Sequence, residues 1–478
     1  MPEDLQHPSY KWIVLTVTTV GVLMVAIDTT VVILALPSII ADLHTNLVSA
    51  VWVIMSYIFV TTVLLLALGR VADLYGRVRL YNWGFAIFTI GSALCGFSHT
   101  DWALISSRVV QGIGGALMLV NAWAILTETF PPGQRGMAMG INSLTFGVGG
   151  IIGPVLGGAI LAIASWRWVF FINIPIGILG TFFSYRCLQE SARPLSEERL
   201  DVLGAAAFSL SLFSLLLAIM LGIQLGWLSP LVLILTGIFV LTLLLFIFWE
   251  RRVPYPALDM RLFHSRVFDF CVLAASFQSL ALFAVQFLIV FYLQAVRGDT
   301  PLHAAILLLP MPIASAIAGP ISGRVSDKIG PRLPSTLGLL LQAFGVYWLS
   351  SLTLTSSYLH IAIGLALTGL GGGFFFSPNT SAAMSTAPPE RLGVAAATLA
   401  TLRNIGTVMS FAVTLAVAAG SIPRDIMLQL FVGTSVNLSV PLQQAFVDGL
   451  RTALHVSAIL CLIAATFSMV RGQEKHHG

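Results

Sequence analysis

The chain has 478 residues, of which 57% are hydrophobic and only 9% charged. Soluble domains carry about 25% charged residues, so this composition excludes an ordinary soluble enzyme and points to the bilayer. The formal net charge of +4 is scattered over short loops, which argues against a nucleic-acid surface.

Runs of apolar residues long enough to cross a membrane predict fourteen helical spans. Their centres lie near residues 24, 59, 88, 115, 150 and 178, then 213 and 239, then 281, 314, 342, 370, 405 and 460. The segment MPEDLQHPSYKW before the first lacks a basic region, and the run behind it is too long for a cleaved signal. With both termini placed inside, inner loops and tails hold 18 of the 24 basic residues and outer loops four (Arg167, Arg297, Arg424, Arg451). That asymmetry predicts both termini in the cytosol. Arg108 and Arg403 fall inside spans. The four cysteines (Cys95, Cys187, Cys271, Cys461) lack metal-ligand spacing and read as small packing residues.

Two motifs repeat. Gly69-Arg70-Val71-Ala72-Asp73-Leu74-Tyr75-Gly76-Arg77 returns 254 residues later as Gly323-Arg324-Val325-Ser326-Asp327-Lys328-Ile329-Gly330-Pro331. Pro131-Pro132-Gly133-Gln134-Arg135-Gly136 returns 257 residues later as Pro388-Pro389-Glu390-Arg391-Leu392-Gly393. The first motif joins the second and third spans of each half, and the second joins the fourth and fifth. The predicted organisation is a six-helix bundle over residues 1–190, two inserted spans with linkers over 191–260, and a second six-helix bundle over 261–478. A duplicated all-helical membrane chain is the usual architecture of a transporter that rocks one repeat against the other. A long outer segment, 421–448, is expected before the last span.

These motifs carry a resemblance. Gly69, Asp73, Gly76 and Arg77 match the loop signature of the major facilitator superfamily, and Arg108-Val109-Val110-Gln111-Gly112 is similar to its arginine-glutamine-glycine motif. Gly149-Gly150-Ile151-Ile152-Gly153-Pro154-Val155-Leu156-Gly157-Gly158 resembles the motif of its antiporters. Asp28 to Pro37 in the first span, and Trp166-Arg167-Trp168 through Asn173-Ile174-Pro175, resemble marks of the fourteen-span drug:proton antiporter branch. In that branch an asparagine usually stands where this chain has Ile33. The resemblance implies an all-α major facilitator fold that exports lipophilic, often cationic drugs in exchange for protons across the inner (cytoplasmic) membrane. A dedicated metabolite or lipid is the alternative cargo. The expected partners are a small-molecule substrate, protons and the lipid bilayer, with no nucleic acid, for a monomer. No nucleotide-binding loop, metal cluster or catalytic triad is evident, so neither enzyme activity nor a cofactor is expected.

Asp28 is the only acid well inside any span. Desolvation disfavours a charged carboxylate, so such a group can take a proton on one side and release it on the other. The competing reading is a structural partner for an arginine. Arg108 lies at a compatible depth, either tuning or relaying the Asp28 proton or bonded to backbone carbonyls. Gln111, one turn deeper, shares its face. Gly69, Asp73, Gly76, Arg77 and Asp327 read as a conformational gate, or as solvated, topology-setting turns. Gly149, Gly153 and Gly157, spaced by four, form a stripe that lets helices approach closely, with Pro154 and Gly158 beside it. Trp52, Tyr57, Gln111, Asn121, Gln286 and Asn379 are the candidate substrate contacts, polar or aromatic groups suited to a large lipophilic ligand. Arg403 reads as part of a helix interface with Asn404. Glu128 is expected to snorkel to water and the outer histidines to face solvent.

Overall fold

In hydrocarbon every backbone N–H and C=O must find its partner within the chain, and helices achieve this segment by segment. The computed structural model describes residues 10–45, 47–190, 201–253, 260–387, 392–421 and 440–472, and among them every regular element is a helix. The first half contains α1 (Tyr10–Leu43), α2 (Leu47–Tyr75), α3 (Arg77–Gly96), α4 (Asp101–Thr129), α5 (Pro132–Ile163), the single turn α6 (Trp168–Phe171) and α7 (Asn173–Cys187). A hairpin follows, α8 (Val202–Leu225) and α9 (Pro230–Glu250). The second half contains α10 (Arg266–Phe291), α11 (Pro301–Leu308), α12 (Pro310–Ile329), α13 (Arg332–Leu349), α14 (Tyr358–Ser385), α15 (Leu392–Ser421) and α16 (Val440–Val470).

Each of the fourteen predicted centres falls within one of these helices, and eight helices are long and apolar enough by length and composition to cross a membrane. Several helices start at side-chain caps that satisfy an otherwise orphaned N–H. Thr100 accepts from the Ala103 N–H, Ser229 from Val232, Ser265 from Phe268, and Asp201 from Gly204. Two predicted spans are broken. The sixth is split at Ile172 into α6 and α7, and the tenth at Leu309, where Pro310 opens α12. The long outer segment expected at 421–448 is shorter, because α16 begins at Val440 and carries Gln443, Gln444 and Asp448. An amphipathic start extended the helix beyond its apolar run. The Pro388–Arg391 repeat and residues 422–439 lie outside the described residues.

The halves share a packing pattern. α1 lies on α5 as α10 lies on α15, α2 on α4 as α12 on α14, and α3 on α4 as α13 on α14. Between the halves α2 meets α15, and α5 meets α11 and α12. The inserted α8 lies against both α2 and α15. Phe213 of α8 meets Phe59 of α2 edge-on at 4.9 Å between ring centroids, and the Ser209 hydroxyl donates to the Val63 carbonyl at 3.3 Å. The hairpin therefore occupies the groove along the α2–α15 side.

The repeated loops share one backbone device: Gly76 has φ 102° and Gly330 φ 83°. At Gly76 the turn is also crowded. A Cβ there would lie 2.7 Å from a Glu190 carboxylate oxygen, and that carboxylate accepts from the N–H groups of Arg77 (2.7 Å), Val78 (3.3 Å) and Arg79 (3.2 Å). Glu190 thus caps the start of α3 from the segment after α7, where a negative charge suits the helix dipole. Gly76→Ala is expected to cost about 1–3 kcal/mol from the left-handed backbone alone. Thermal unfolding in detergent would read the loss, and an unchanged midpoint would show that the turn relaxes.

Candidate functional site

At one level of the buried interior of the first half, α1, α3, α4 and α7 bring hydrogen-bonded polar side chains together. Asp28 on α1 is 1% exposed, as are Arg108 on α4 and Asn173 on α7, and Gln111 on α4 and Ser92 on α3 are fully buried. Arg108 Nη1 donates to Asp28 Oδ2 at 2.6 Å and to Gln111 Oε1 at 2.6 Å. Gln111 Nε2 donates to Asp28 Oδ1 at 2.8 Å and to Ser92 Oγ at 3.2 Å. Asn173 Nδ2 donates to the same Asp28 oxygen at 3.1 Å and to Ser92 Oγ at 3.0 Å. Ser92 donates onward to the Phe170 carbonyl at 2.9 Å. Arg108 Nε donates to the Val53 carbonyl of α2 at 3.1 Å, and its guanidinium lies over the Tyr57 ring at 4.4 Å from the centroid.

Local sequence explains this convergence. Arg108 and Gln111 are three apart on α4 and share a face. The break at Ile172 makes Asn173 the first residue of α7, so its amide and the positive end of that helix approach the carboxylate together. Small residues permit the approach: a Cβ on Gly91 of α3 would lie 2.5 Å from the Gln111 backbone nitrogen. Three side-chain donors, from Arg108, Gln111 and Asn173, satisfy the Asp28 carboxyl oxygens, and Arg108 is its ion-pair partner.

The glycine stripe borders this network. Added Cβ atoms would meet α1 at Ala26 Cβ from Gly149 (2.5 Å), at Thr30 Oγ1 from Gly153 (2.0 Å) and at Val31 Cγ1 from Gly157 (2.9 Å). Gly158 is on another face. With Gly147 and Gly150 it looks across to the second half, toward Leu302, Ala316 and Pro312. The segment therefore has two small-residue faces, one seating α1 and one meeting α11 and α12.

At the loop end, Arg77 ion-pairs with Glu128 at the end of α4, so Glu128 has a partner within its own half while its side chain stays partly exposed. Gly69 sits where α2, α4 and α15 meet, with Val120 Cγ1 and Ala397 Cβ 3.5 and 3.6 Å from an added Cβ. Asp327 is exposed, and the Asp73 side chain lies outside the described set. At the opposite end the Trp166–Arg167 pair clasps α1. Arg167 Nη1 and Trp166 Nε1 donate to Asp42 Oδ2 at 2.7 and 3.0 Å, and Arg167 Nη2 donates to the Ser98 carbonyl at 3.3 Å. The Arg167 hydrogen bond, then that of Trp166, holds the Asp42 carboxyl below its ordinary range. A lowered folded-state value contributes stability present above the unfolded value and lost as pH falls through the folded one.

Among the candidate substrate contacts, Tyr57 and Gln111 belong to the Asp28–Arg108 network. Asn121 donates to the Leu117 carbonyl at 2.7 Å and Asn379 to the Cys271 carbonyl at 3.0 Å, both fully enclosed. Trp52 is half-buried beside Phe59, and Gln286 is half-buried on α10. Of the histidines expected only to face solvent, His360 stacks on Trp348 at 5.0 Å and His303 lies 2.7 Å from Asp299. Asn173 and Ser92 were not among the candidates. Asn173 carries a sequence signal, an amide two residues before Pro175. Ser92 had none, being one of many hydroxyls in apolar runs.

Comparison with known proteins agrees with this fold. The family model described as Major Facilitator Superfamily matches residues 18–411. The chain is 32% identical over 398 residues to the riboflavin transporter RibZ of Clostridioides difficile (strain 630), covering 83% of this chain and 85% of that protein. It is 33% identical over 402 residues to multidrug resistance protein 3 of Bacillus subtilis (strain 168), covering 84% and 78%. Among solved structures, the human organic anion transporter MFSD10 (TETRAN) superposes with a TM-score of 0.68 at 15% identity, over 97% of this chain and 100% of that one. A bacterial homolog of the human lysosomal transporter Spinster, inward-facing, gives 0.65 at 18% identity over 97% of each chain. By family and fold the chain is a multi-pass membrane transporter rather than an enzyme, and it belongs to the major facilitator superfamily.

Proposed function

We propose that this transporter exports lipophilic small molecules across the inner membrane in exchange for protons, with Asp28 as the proton-carrying group. The observation that carries this reading is a carboxylate enclosed in the first half, bonded to a single cation. An intramembrane acid is costly and rarely retained without a role in ion or substrate movement. In the proposed cycle the substrate binds from the cytosol as Asp28 loses its proton and Arg108 closes on the carboxylate. The halves, residues 1–190 and 261–478, then rock about the α2–α15 and α5–α12 contacts. A proton arriving from outside neutralises Asp28, frees Arg108 and completes the exchange.

We read the chain as a monomer of fourteen spans with cytosolic termini, the pair in residues 191–260 covering one lateral groove. The Gly69–Arg77 loop and Asp327 act as the inner gate, with Arg77 on Glu128 as its latch. Relatives named as multidrug resistance proteins support a drug cargo, and the relative named a riboflavin transporter supports a dedicated metabolite as the second reading. Lipophilicity is the property we assign. A cationic drug meets the carboxylate only by displacing Arg108. The test is efflux of a fluorescent lipophilic drug from proteoliposomes under an imposed pH gradient. Movement that collapses with a protonophore supports the exporter, and gradient-independent leakage equal to empty liposomes overturns it.

A further inference from the structure

The two intramembrane arginines have opposite surroundings. Arg108 is matched by a carboxylate, an amide and a main-chain carbonyl. Arg403 on α15 meets the face of Phe376 on α14, 5.0 Å from guanidinium carbon to ring centroid. Among the described residues no carboxylate lies within ion-pair distance of it.

Arg403 is about three turns into α15, or about 16 Å along the axis from its start, so it sits deep within the span. Packed around α15 are α2, α4, α8, α10, α14 and α16. The acids on those helices are Asp73 on α2, Asp101 and Glu128 on α4 and Asp269 on α10, each within about a turn of an end, and Asp448 about two turns into α16, where it pairs with Arg451, while α8 and α14 have none. The Arg403 side chain is nevertheless only half-buried. Part of the guanidinium side chain is therefore open to a ligand. α14 and α15 pack little against one another, and the arginine spans the gap between them.

A permanent cation with five N–H donors, at membrane depth and with no carboxylate partner among the described residues, calls for a ligand of opposite charge. Its planar fork matches a carboxylate or similar oxyanion, and Phe376 beside it offers an apolar face to a ring. We propose that Arg403 and Phe376 form a recognition site for the acidic group of an amphipathic aromatic anion. This deepens the export reading by naming a substrate class, and it rests on that reading for transport but not for binding. Exchanging an anion outward for a proton inward would move two charges per cycle, so the membrane potential would drive it as well as the pH gradient.

One ring system in three charge states tests this: 1-pyrenebutyrate, 1-pyrenebutanol and 1-pyrenebutylammonium. Binding to the detergent-solubilised full chain is read by quenching of tryptophan emission without any gradient, and efflux is read in proteoliposomes with one. The expected result is butyrate bound at least about tenfold more tightly than the ammonium, a difference of about 1.4 kcal/mol. Arg403→Gln should remove that preference while leaving butanol binding unchanged, and Arg403→Lys should keep most of it. Equal butyrate binding in wild type and Arg403→Gln, or preference of the wild type for the ammonium, would overturn the proposal. If butyrate binding depends on Arg403 but no probe moves under a gradient, the site stands and the export reading fails. If butanol is exported but butyrate is not preferred, the export reading stands and the site fails.

Discussion

Asp28→Asn is expected to abolish proton-driven efflux while leaving downhill movement of the same drug intact. The asparagine is close in shape and can still accept from Gln111, but it carries no exchangeable charge. Removing one member of a buried ion pair also leaves Arg108 uncompensated, at a cost of about 3–5 kcal/mol. The variant should therefore unfold at lower temperature in detergent. The double variant Asp28→Asn/Arg108→Gln separates the two effects. It should recover most of the lost stability without recovering any coupling. Recovery of gradient-driven efflux in the double variant would show that the pair is a structural clasp and that the proton travels elsewhere.

Gly153→Val is expected to impair both stability and transport, for a reason of shape. The added Cβ would lie 2.0 Å from Thr30 Oγ1 and 3.3 Å from the Ile27 carbonyl, so α1 must move off α5. Overpacking of this kind costs about 1–3 kcal/mol. The displaced segment of α1 is the one that carries Asp28, so its geometry with Arg108 and Asn173 should loosen as well. Gly237→Ala on α9 is the control, because nothing lies within 4 Å of its added Cβ. It should be neutral or gain about 0.5–1 kcal/mol of helix propensity. Melting temperature and initial efflux rate, measured for both variants, check the contrast. Equal behaviour would mean that the α1–α5 seam tolerates separation.

What could be read from sequence follows from how loudly a residue contradicts its apolar surroundings. Asp28 and Arg108 stand out because charge in a span is rare, and Gln111 follows from its place three residues after Arg108. The spacing of Gly149, Gly153 and Gly157 announces a stripe, but the α1 residues it seats against are a tertiary fact. Gly158 belongs to the opposite face, which a motif read as one unit conceals. Glu190 was invisible for a similar reason. It lies after the span whose neighbour it caps, and only folding brings it to the start of α3. The Val53 and Phe170 carbonyls that complete the network carry no side-chain signature at all. The split at Leu309 was written in Pro310 and Pro312, and the one at Ile172 in Pro175, yet a hydropathy run passes over both.

The central claim is that substrate and proton compete through the Asp28–Arg108 pair. The most direct measurement is proton release on drug binding, followed with a pH-sensitive dye in weakly buffered detergent solution, for wild type and Asp28→Asn. The account predicts a saturable release by the wild type, larger at more acidic starting pH, and none by Asp28→Asn although it still binds the drug. Equal release by both proteins would contradict it and place the exchanged proton on another group.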